Sequence, residues 1–295
     1  MVTRKSHRPS PRPFLKWAGG KRSLLPEILD RIPPGPIDFY LEPFLGGGAL
    51  FLALARQGRI RQAVLNDRNP QLIETWQQVR DSPSAIIEAV HQWHPDEETY
   101  YEVRAMEPAV LTAVERAARL IWLNRNCFNG LFRINRRGQF NVPFGKYKRP
   151  CLVDEENLYA VSAALQNVAF FDIDFDGILA MAGAGAVVYC DPPYWPMSRT
   201  SSFTAYDGNP FREDDQERLA DAFAALPAQG AWGLLSNSWV PETLSLYERH
   251  GLHYSQVFAR RNINRVASKR GPVPEVMVTT HYWAGAEEAG LAANT

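Results

Sequence analysis

The chain has 295 residues, of which 45% are hydrophobic, 12% aromatic and 22% charged, and its acidic and basic residues balance. This composition fits a globular protein of one domain with an insertion, or two small domains, and excludes a disordered or low-complexity chain. No apolar run reaches the roughly eighteen residues of a membrane helix, and the basic N-terminus lacks the apolar core of a secretory signal. Cys127, Cys151 and Cys190 have no C-x-x-C spacing, so neither a disulfide framework nor a zinc site is indicated, and a reducing cytoplasm is the expected setting.

The zero net charge hides a strong clustering. Arg4, Lys5, Arg8, Arg12, Lys16, Lys21 and Arg22 occupy residues 1–26 without an acid. Arg125, Arg133, Arg136, Arg137, Lys146, Lys148 and Arg149 occupy 124–153, and Arg260, Arg261, Arg265, Lys269 and Arg270 occupy 256–274, again unopposed. Folded onto one face, these segments would attract a polyanion; as three separate solvated loops they would not.

In chain order, a Pro- and Arg-rich tail ends near Pro13, and a Gly-Gly turn follows at Gly19. The pattern predicts a helix over 23–31 capped by Ser23, broken by the Pro-Gly run at 33–36. A buried strand over 37–41 leads into Gly46-Gly47-Gly48, a helix over 49–57 and a second strand over 62–65. Strand, glycine turn, helix, strand opens an α/β nucleotide-binding unit. Residues 70–126 then carry helical spacing, and 131–142 read as a β-hairpin with its turn at 135–138. Strands resume at 168–171, 187–190 and 232–235, with a helix over 214–226. Strands at 253–259 and 275–281 close the sheet, and 285–295 form a frayed tail. Three segments are expected: a first catalytic part over 1–68, an inserted recognition domain over 69–150, and a second catalytic part over 151–295.

Two motifs carry chemistry. Glu42 to Gly48 with Asp67 downstream offers a backbone that passes close under a cofactor and an acid for a ribose hydroxyl. Phe51 stands where the dinucleotide fingerprint needs its last glycine, which favours an adenosine carrier without a pyrophosphate; a plain structural turn is the alternative. Asp191-Pro192-Pro193-Tyr194 ends an apolar strand, where a carboxylate faces the crevice of an open sheet. Consecutive prolines present carbonyl acceptors, so carboxylate plus carbonyl can take both hydrogens of an exocyclic amino group, and Tyr194 can stack on its ring. Asp172, Asp174 and Asp176 alternate as solvated strand residues would, and the six histidines lack ligand spacing, so no metal is expected.

The order F-L-K-W-A-G-G-K (14–21), glycine loop, Asp67, basic insertion including N-G-L-F-R-I-N-R-R-G-Q-F-N-V-P-F-G-K-Y-K-R-P (129–150), V-V-Y-C-D-P-P-Y and F-T-A-Y (203–206) resembles the Dam-type, D12 class DNA adenine-N6 methyltransferases over about 14–283. The resemblance implies a Rossmann-like α/β sheet binding S-adenosylmethionine, with an inserted helical and hairpin recognition domain. It places Trp17, Lys21, Phe44, Gly46, Gly48, Asp67, Asp174, Phe175 and Asp191 at the cofactor. Asp191, Pro192, Pro193 and Tyr194 become the catalytic motif, acting on an adenine flipped from duplex DNA. Lys16, Phe128, Asn129, Leu131, Arg133, Asn135, Arg136, Arg137 and Pro143 become DNA contacts. Phe128 replaces the Tyr that relatives wedge into the stack, and Arg133 is the natural reader of a guanine in a GATC site. The resemblance implies double-stranded DNA as partner, without metal or membrane, for a monomeric or weakly self-associating chain in a bacterial or phage-infected cell. Methylation of RNA adenine, cytosine N4 or protein glutamine, a DNA-binding module with a decayed core, and a dehydrogenase remain as alternatives; the hairpin speaks against protein glutamine.

Overall fold

The computed structural model describes residues 10–135, 137–196, 211–260 and 272–281. The expected contact at Arg136, the F-T-A-Y stretch, the basic tail through residue 9, most of the third basic cluster and the segment 285–295 lie outside them.

The regular elements follow in order. They are α1 (Leu25–Asp30), β1 (Ile37–Glu42), α2 (Ala49–Arg56), β2 (Ile60–Asn66), α3 (Pro70–Asp81), α4 (Pro83–His91), α5 (Glu97–Ala105) and α6 (Ala113–Asn126). Then come α7 (Glu155–Ala164), β3 (Val168–Phe171), α8 (Phe175–Leu179), β4 (Ala186–Cys190), α9 (Glu213–Ala224), β5 (Trp232–Ser238), α10 (Pro241–Arg249), β6 (His253–Arg260) and β7 (Pro272–Thr279). The strands form one seven-stranded sheet in the order β3-β2-β1-β4-β5-β7-β6. β1 pairs in parallel with β2 and β4, and β4 in parallel with β5. β7 runs antiparallel between β5 and β6. The order 3-2-1-4-5 is Rossmann-like, and it reverses direction between β1 and β4. A crevice outside the carboxyl ends of the strands opens at such a switch point, so Glu42 and Asp191 are placed where ligands bind.

The chain divides into two compact units, each holding the described parts of its segments. The first takes Met1–Gly20, Gly46–Arg59 and Asn69–Phe170; the second takes Lys21–Leu45, Ile60–Arg68 and Phe171–Thr295. In the second unit, β4 is buried along its whole length, as a parallel central strand must be. Its Val188 and Cys190 join Leu41, Phe175, Phe223, Leu235, Tyr247 and Val276 in one hydrophobic core. In the first unit, α6 is the central helix, packed by α3, α4 and α5. Thr112 and Glu115 form a capping box that starts it, each side chain accepting the other's backbone N–H. Trp122 on α6 lies fully buried against Tyr100 and Trp93. Phe14 meets Trp76 edge-on at 4.6 Å, which docks the N-terminal segment on α3.

Four readings need correction. Ser23 does not cap a helix: it closes a 3-10 turn (Lys21–Ser23), and α1 starts at Leu25 with Pro26 in its first turn. The hairpin over 131–142 is present, with Ile134 paired antiparallel to Phe140 and backbone bonds from Asn135 N–H to Gln139 and Asn141 N–H to Arg133, but it is an isolated bridge and not two regular strands; Arg133 and Asn135 side chains add bonds to its backbone. The three alternating aspartates do not share a strand: β3 ends at Phe171 and Asp174 caps α8. Helices α7, α8 and α10 carried no signal strong enough to be read. Among the described residues, no helix is long and apolar enough to cross a membrane.

Gly233 in β5 has no room for a side chain. An added Cβ would come within 2.7 Å of both the Phe223 ring and the Thr280 methyl. Gly233→Ala is expected to cost about 1–3 kcal/mol through overpacking, read as a lower denaturation midpoint at unchanged m-value.

Candidate active site

The second unit builds a charged cluster at the carboxyl end of β4. Asp191 follows the strand, and its Oδ1 takes both protein partners: Lys21 Nζ at 2.8 Å and the Ser236 hydroxyl at 3.0 Å. Among the described residues, Oδ2 has no hydrogen-bond partner. Lys21 is only 6% exposed, so this is a nearly dry ion pair. Burial pushes the Asp191 carboxyl up, while Lys21 and Ser236 pull it down; the net direction is upward. The Lys21 ammonium also lies 4.6 Å from the centre of the Tyr194 ring. Burial, followed by the Asp191 and Glu275 charges, raises the Tyr194 hydroxyl well above its ordinary value and keeps it protonated.

The Pro-Pro-Tyr-Trp backbone is held by neighbouring side chains. Gln216 on α9 donates to the Pro193 carbonyl at 3.0 Å, and Asn237 on β5 accepts from Trp195 N–H at 2.9 Å. Asn237 is itself fixed by donating to Gln216 and to the Tyr247 hydroxyl, both at 2.9 Å. The Pro192 carbonyl carries no hydrogen bond among the described residues. Asp191 Oδ2 and that carbonyl are therefore open acceptors in the motif.

Asn66, fully buried at the end of β2, ties the loop after β1 in place. It donates to the Pro43 carbonyl at 2.9 Å and the Ile173 carbonyl at 3.1 Å, and accepts from Ile173 N–H at 3.0 Å. Its own carbonyl accepts from Leu45 N–H at 2.8 Å. Asp67, half-buried, comes next in the chain. Phe44 packs on Phe175, whose ring belongs to the core, at 5.6 Å. The Asp174 carboxylate caps α8 and pairs with Arg218 at 2.8 Å, while Asp176 pairs with the same guanidinium.

In the first unit, Gly46 and Gly48 adopt left-handed backbone at φ 48° and 62°. Gly48 starts α2 without a side-chain cap. A Cβ on Gly46 would approach Trp17 Cδ1 to 2.9 Å. The indole of Trp17 stacks on Phe132 at 5.2 Å. Glycine here thus serves the close approach of Trp17 as well as any ligand.

Lys16 and the irregular hairpin form a second cluster in this unit. The buried Asn124 of α6 accepts from Lys16 N–H at 2.8 Å and donates to the carbonyls of Lys16 and Gly130, at 2.8 and 3.0 Å. The Lys16 ammonium lies 4.7 Å from the Tyr147 ring centre. Phe128 is 50% exposed although large and apolar, and Leu131 is exposed beside it. Asn129 sits at φ 55°, and the Pro143 carbonyl accepts from Phe128 N–H at 2.8 Å. Arg133 is anchored on Asn141 through Nε at 2.6 Å and Nη2 at 3.0 Å. Asn135 spends its side chain on the turn, accepting from Arg137 and Gln139 N–H. Arg137 is exposed. Arg125, counted among the basic residues, is a structural anchor that donates to the Phe14 carbonyl at 2.7 Å.

The family model for "D12 class N6 adenine-specific DNA methyltransferase" matches residues 17–263. This chain belongs to that family. It is 41% identical over 278 residues to the type II methyltransferase M1.LlaDCHI of Lactococcus lactis subsp. cremoris, covering 92% of this chain and 95% of that one. It is 38% identical to the type II methyltransferase M.MjaIII of Methanocaldococcus jannaschii, covering 88% and 95%. It is 36% identical to a DNA adenine methylase of Vibrio cholerae serotype O1, covering 90% and 95%. A D12 methyltransferase methylates adenine N6 in DNA, and S-adenosylmethionine is its methyl donor.

The D12 chain places Lys21, Asp191 and Tyr194 together. Among the described residues, no group of three or more His, Cys, Asp or Glu could hold a metal ion. Asn66, Asn124, Gln216, Ser236, Asn237 and Glu275 escaped the sequence reading. Only Glu275 is a lone polar residue in an apolar stretch; Gln216 lies in a charged run, and Asn66, Asn124, Ser236 and Asn237 stand beside other polar residues, so nothing local singled them out. Cys190, beside Asp191, is buried and its thiol is pushed far up by burial; Cys127 is pushed up to about 11 for the same reason. Cys151 is exposed. A thiol reagent at neutral pH is expected to label Cys151 alone in the native enzyme and all three cysteines after unfolding, as counted by mass spectrometry.

Proposed function

We propose that this enzyme methylates the adenine of GATC in duplex DNA after flipping that base into the pocket beside Asp191. The observation that carries the reading is the asymmetry of Asp191: Lys21 and Ser236 both occupy Oδ1, and Oδ2 has no hydrogen-bond partner among the described residues. That open carboxylate oxygen and the Pro192 carbonyl, which follows it in the chain, are read as the acceptors of the two hydrogens of one exocyclic amino group. Accepting both hydrogens draws the adenine nitrogen toward a pyramidal form and localises its lone pair, which the ring otherwise shares. Bound S-adenosylmethionine supplies a sulfonium methyl as electrophile. The chain's residues position and stabilise, with no covalent enzyme intermediate. Asp191 is the group able to take the proton released from the nitrogen. Tyr194 stacks on the flipped ring, which offsets part of the few kcal/mol of unstacking.

Trp17, Lys21, Phe44, Gly46, Gly48, Asp67, Asp174 and Phe175 are assigned to the cofactor. The left-handed glycines support passage of the backbone under its methionine part, and Asp67 supports a ribose contact. Phe175 is assigned only by way of Phe44, since its own ring lies in the core.

For sequence reading, Lys16 contacts the first guanine, and Phe128, Asn129, Leu131 and Pro143 meet the base stack. Arg133 reads a guanine with the guanidinium edge that Asn141 leaves free. Exposed Phe128 supports a wedge, because a large apolar ring half in water has a partner to gain. Asn135 contributes by shaping the turn, and Arg136 and Arg137 by phosphate contacts that set affinity without sequence. Residues 69–150 serve as the recognition insertion between catalytic segments 1–68 and 151–295. The enzyme is further read as a monomer in the cytoplasm of a bacterial or phage-infected cell.

The test is methylation of unmethylated plasmid followed by a nuclease that cuts only methylated GATC. Cutting that depends on S-adenosylmethionine is expected; label on DNA without cutting would overturn GATC and the roles of Arg133 and Lys16. Asp191 must be ionised to accept, and its carboxyl is raised. Activity is therefore expected to fall as pH drops through a value above the ordinary carboxylate range of about 4, measured as the acid limb of kcat. An acid limb at or below that range would contradict this role.

A further inference from the structure

Tyr194 is held at three points, one of which no motif marks. Its hydroxyl donates to Glu275 Oε2 at 2.6 Å, and Lys21 lies over its ring. The backbone beyond it is fixed by Asn237 and by Ser238, whose hydroxyl donates to the Trp195 carbonyl at 2.7 Å. Glu275 stands near the start of β7, paired in register with Ser238 of β5, and only 9% of it is exposed. A carboxylate is costly to bury, and a short charge-assisted bond to a phenol is strong and directional. A ring held by stacking alone would rotate about its two side-chain torsions; tying its far end removes that freedom.

We propose that Glu275 is a positioning residue for methyl transfer: its carboxylate fixes the Tyr194 ring so that one face meets Lys21 and the other is presented to the target adenine. This rests on the stacking role given to Tyr194 above. The antiparallel insertion of β7 beside β5 is what delivers Glu275 to the motif. Tyr194 then has its hydroxyl committed to the protein, so it supplies no proton to the reaction.

Four variants test this: Tyr194→Phe, Glu275→Ala, their double, and Glu275→Gln, which keeps an acceptor oxygen. Tritiated methyl transfer to plasmid DNA gives kcat and KM, and cofactor titration gives Kd for S-adenosylmethionine. Tyr194→Phe and Glu275→Ala are each expected to lower kcat about tenfold, the effect of one lost charge-assisted bond, with Kd within about twofold. The double variant is expected to be no slower than either single one, and Glu275→Gln to recover most of the rate. Multiplying losses in the double variant, or full activity in Glu275→Ala, would overturn the proposal. Tyr194→Ala separates the two levels: a wild-type rate there removes the stacking role and Glu275's part with it. A slow Tyr194→Ala beside additive losses removes Glu275's part alone.

Discussion

A buried cation between a carboxylate and an aromatic ring organises the site. Lys21 opens the 3-10 turn that precedes α1, and its ammonium reaches Asp191 and the face of Tyr194 at once. Removing either charge would strand the other in a nearly dry environment, at a cost of several kcal/mol. The cation also explains how a carboxylate can stay ionised where burial opposes it. Lys21 and Ser236 both bind the same oxygen, so they hold the charge while leaving the second oxygen without a hydrogen-bond partner among the described residues.

The sheet supplies the place, and single polar residues supply the precision. Rossmann-like order with its reversal between β1 and β4 directs Glu42 and Asp191 toward one crevice. The motif loop is then held through Gln216, Asn237 and Ser238, all from elements beyond β4 in the chain. In the other unit, Asn124 does the equivalent work, tying Lys16 to the turn at Gly130. Amide side chains suit this task because one group can donate and accept toward backbone at a fixed angle.

How much of this was legible depends on whether the signal was local. Strand β4 and the motif after it were read correctly, because an apolar run ending in Asp-Pro-Pro-Tyr states its own structure. Trp17 and Lys21 were chosen through family pattern, and the geometry supplies their physical partners in Phe132 and Asp191. The hairpin at 131–142 was read in its observed register, but the alternation overstated its strands, which reduce to one bridge and a few backbone bonds that the Arg133 and Asn135 side chains supplement. Glu275 was invisible for a different reason: its partner lies 81 residues away, and only the insertion of β7 next to β5 brings it to Tyr194. The Asp172–Asp174–Asp176 alternation failed because a capping side chain ends the strand pattern early.

The most direct test of the ion pair is the titration of Asp191 itself. Carbon-13 in the aspartate carboxyls, assigned by the resonance lost in Asp191→Asn, reports its ionisation by NMR in the wild type and in Lys21→Met. The wild-type resonance is expected to titrate above the ordinary carboxylate range, and its midpoint to rise further without Lys21, because the ammonium lowers it by charge and hydrogen bond. A midpoint that Lys21→Met leaves unchanged would contradict the account.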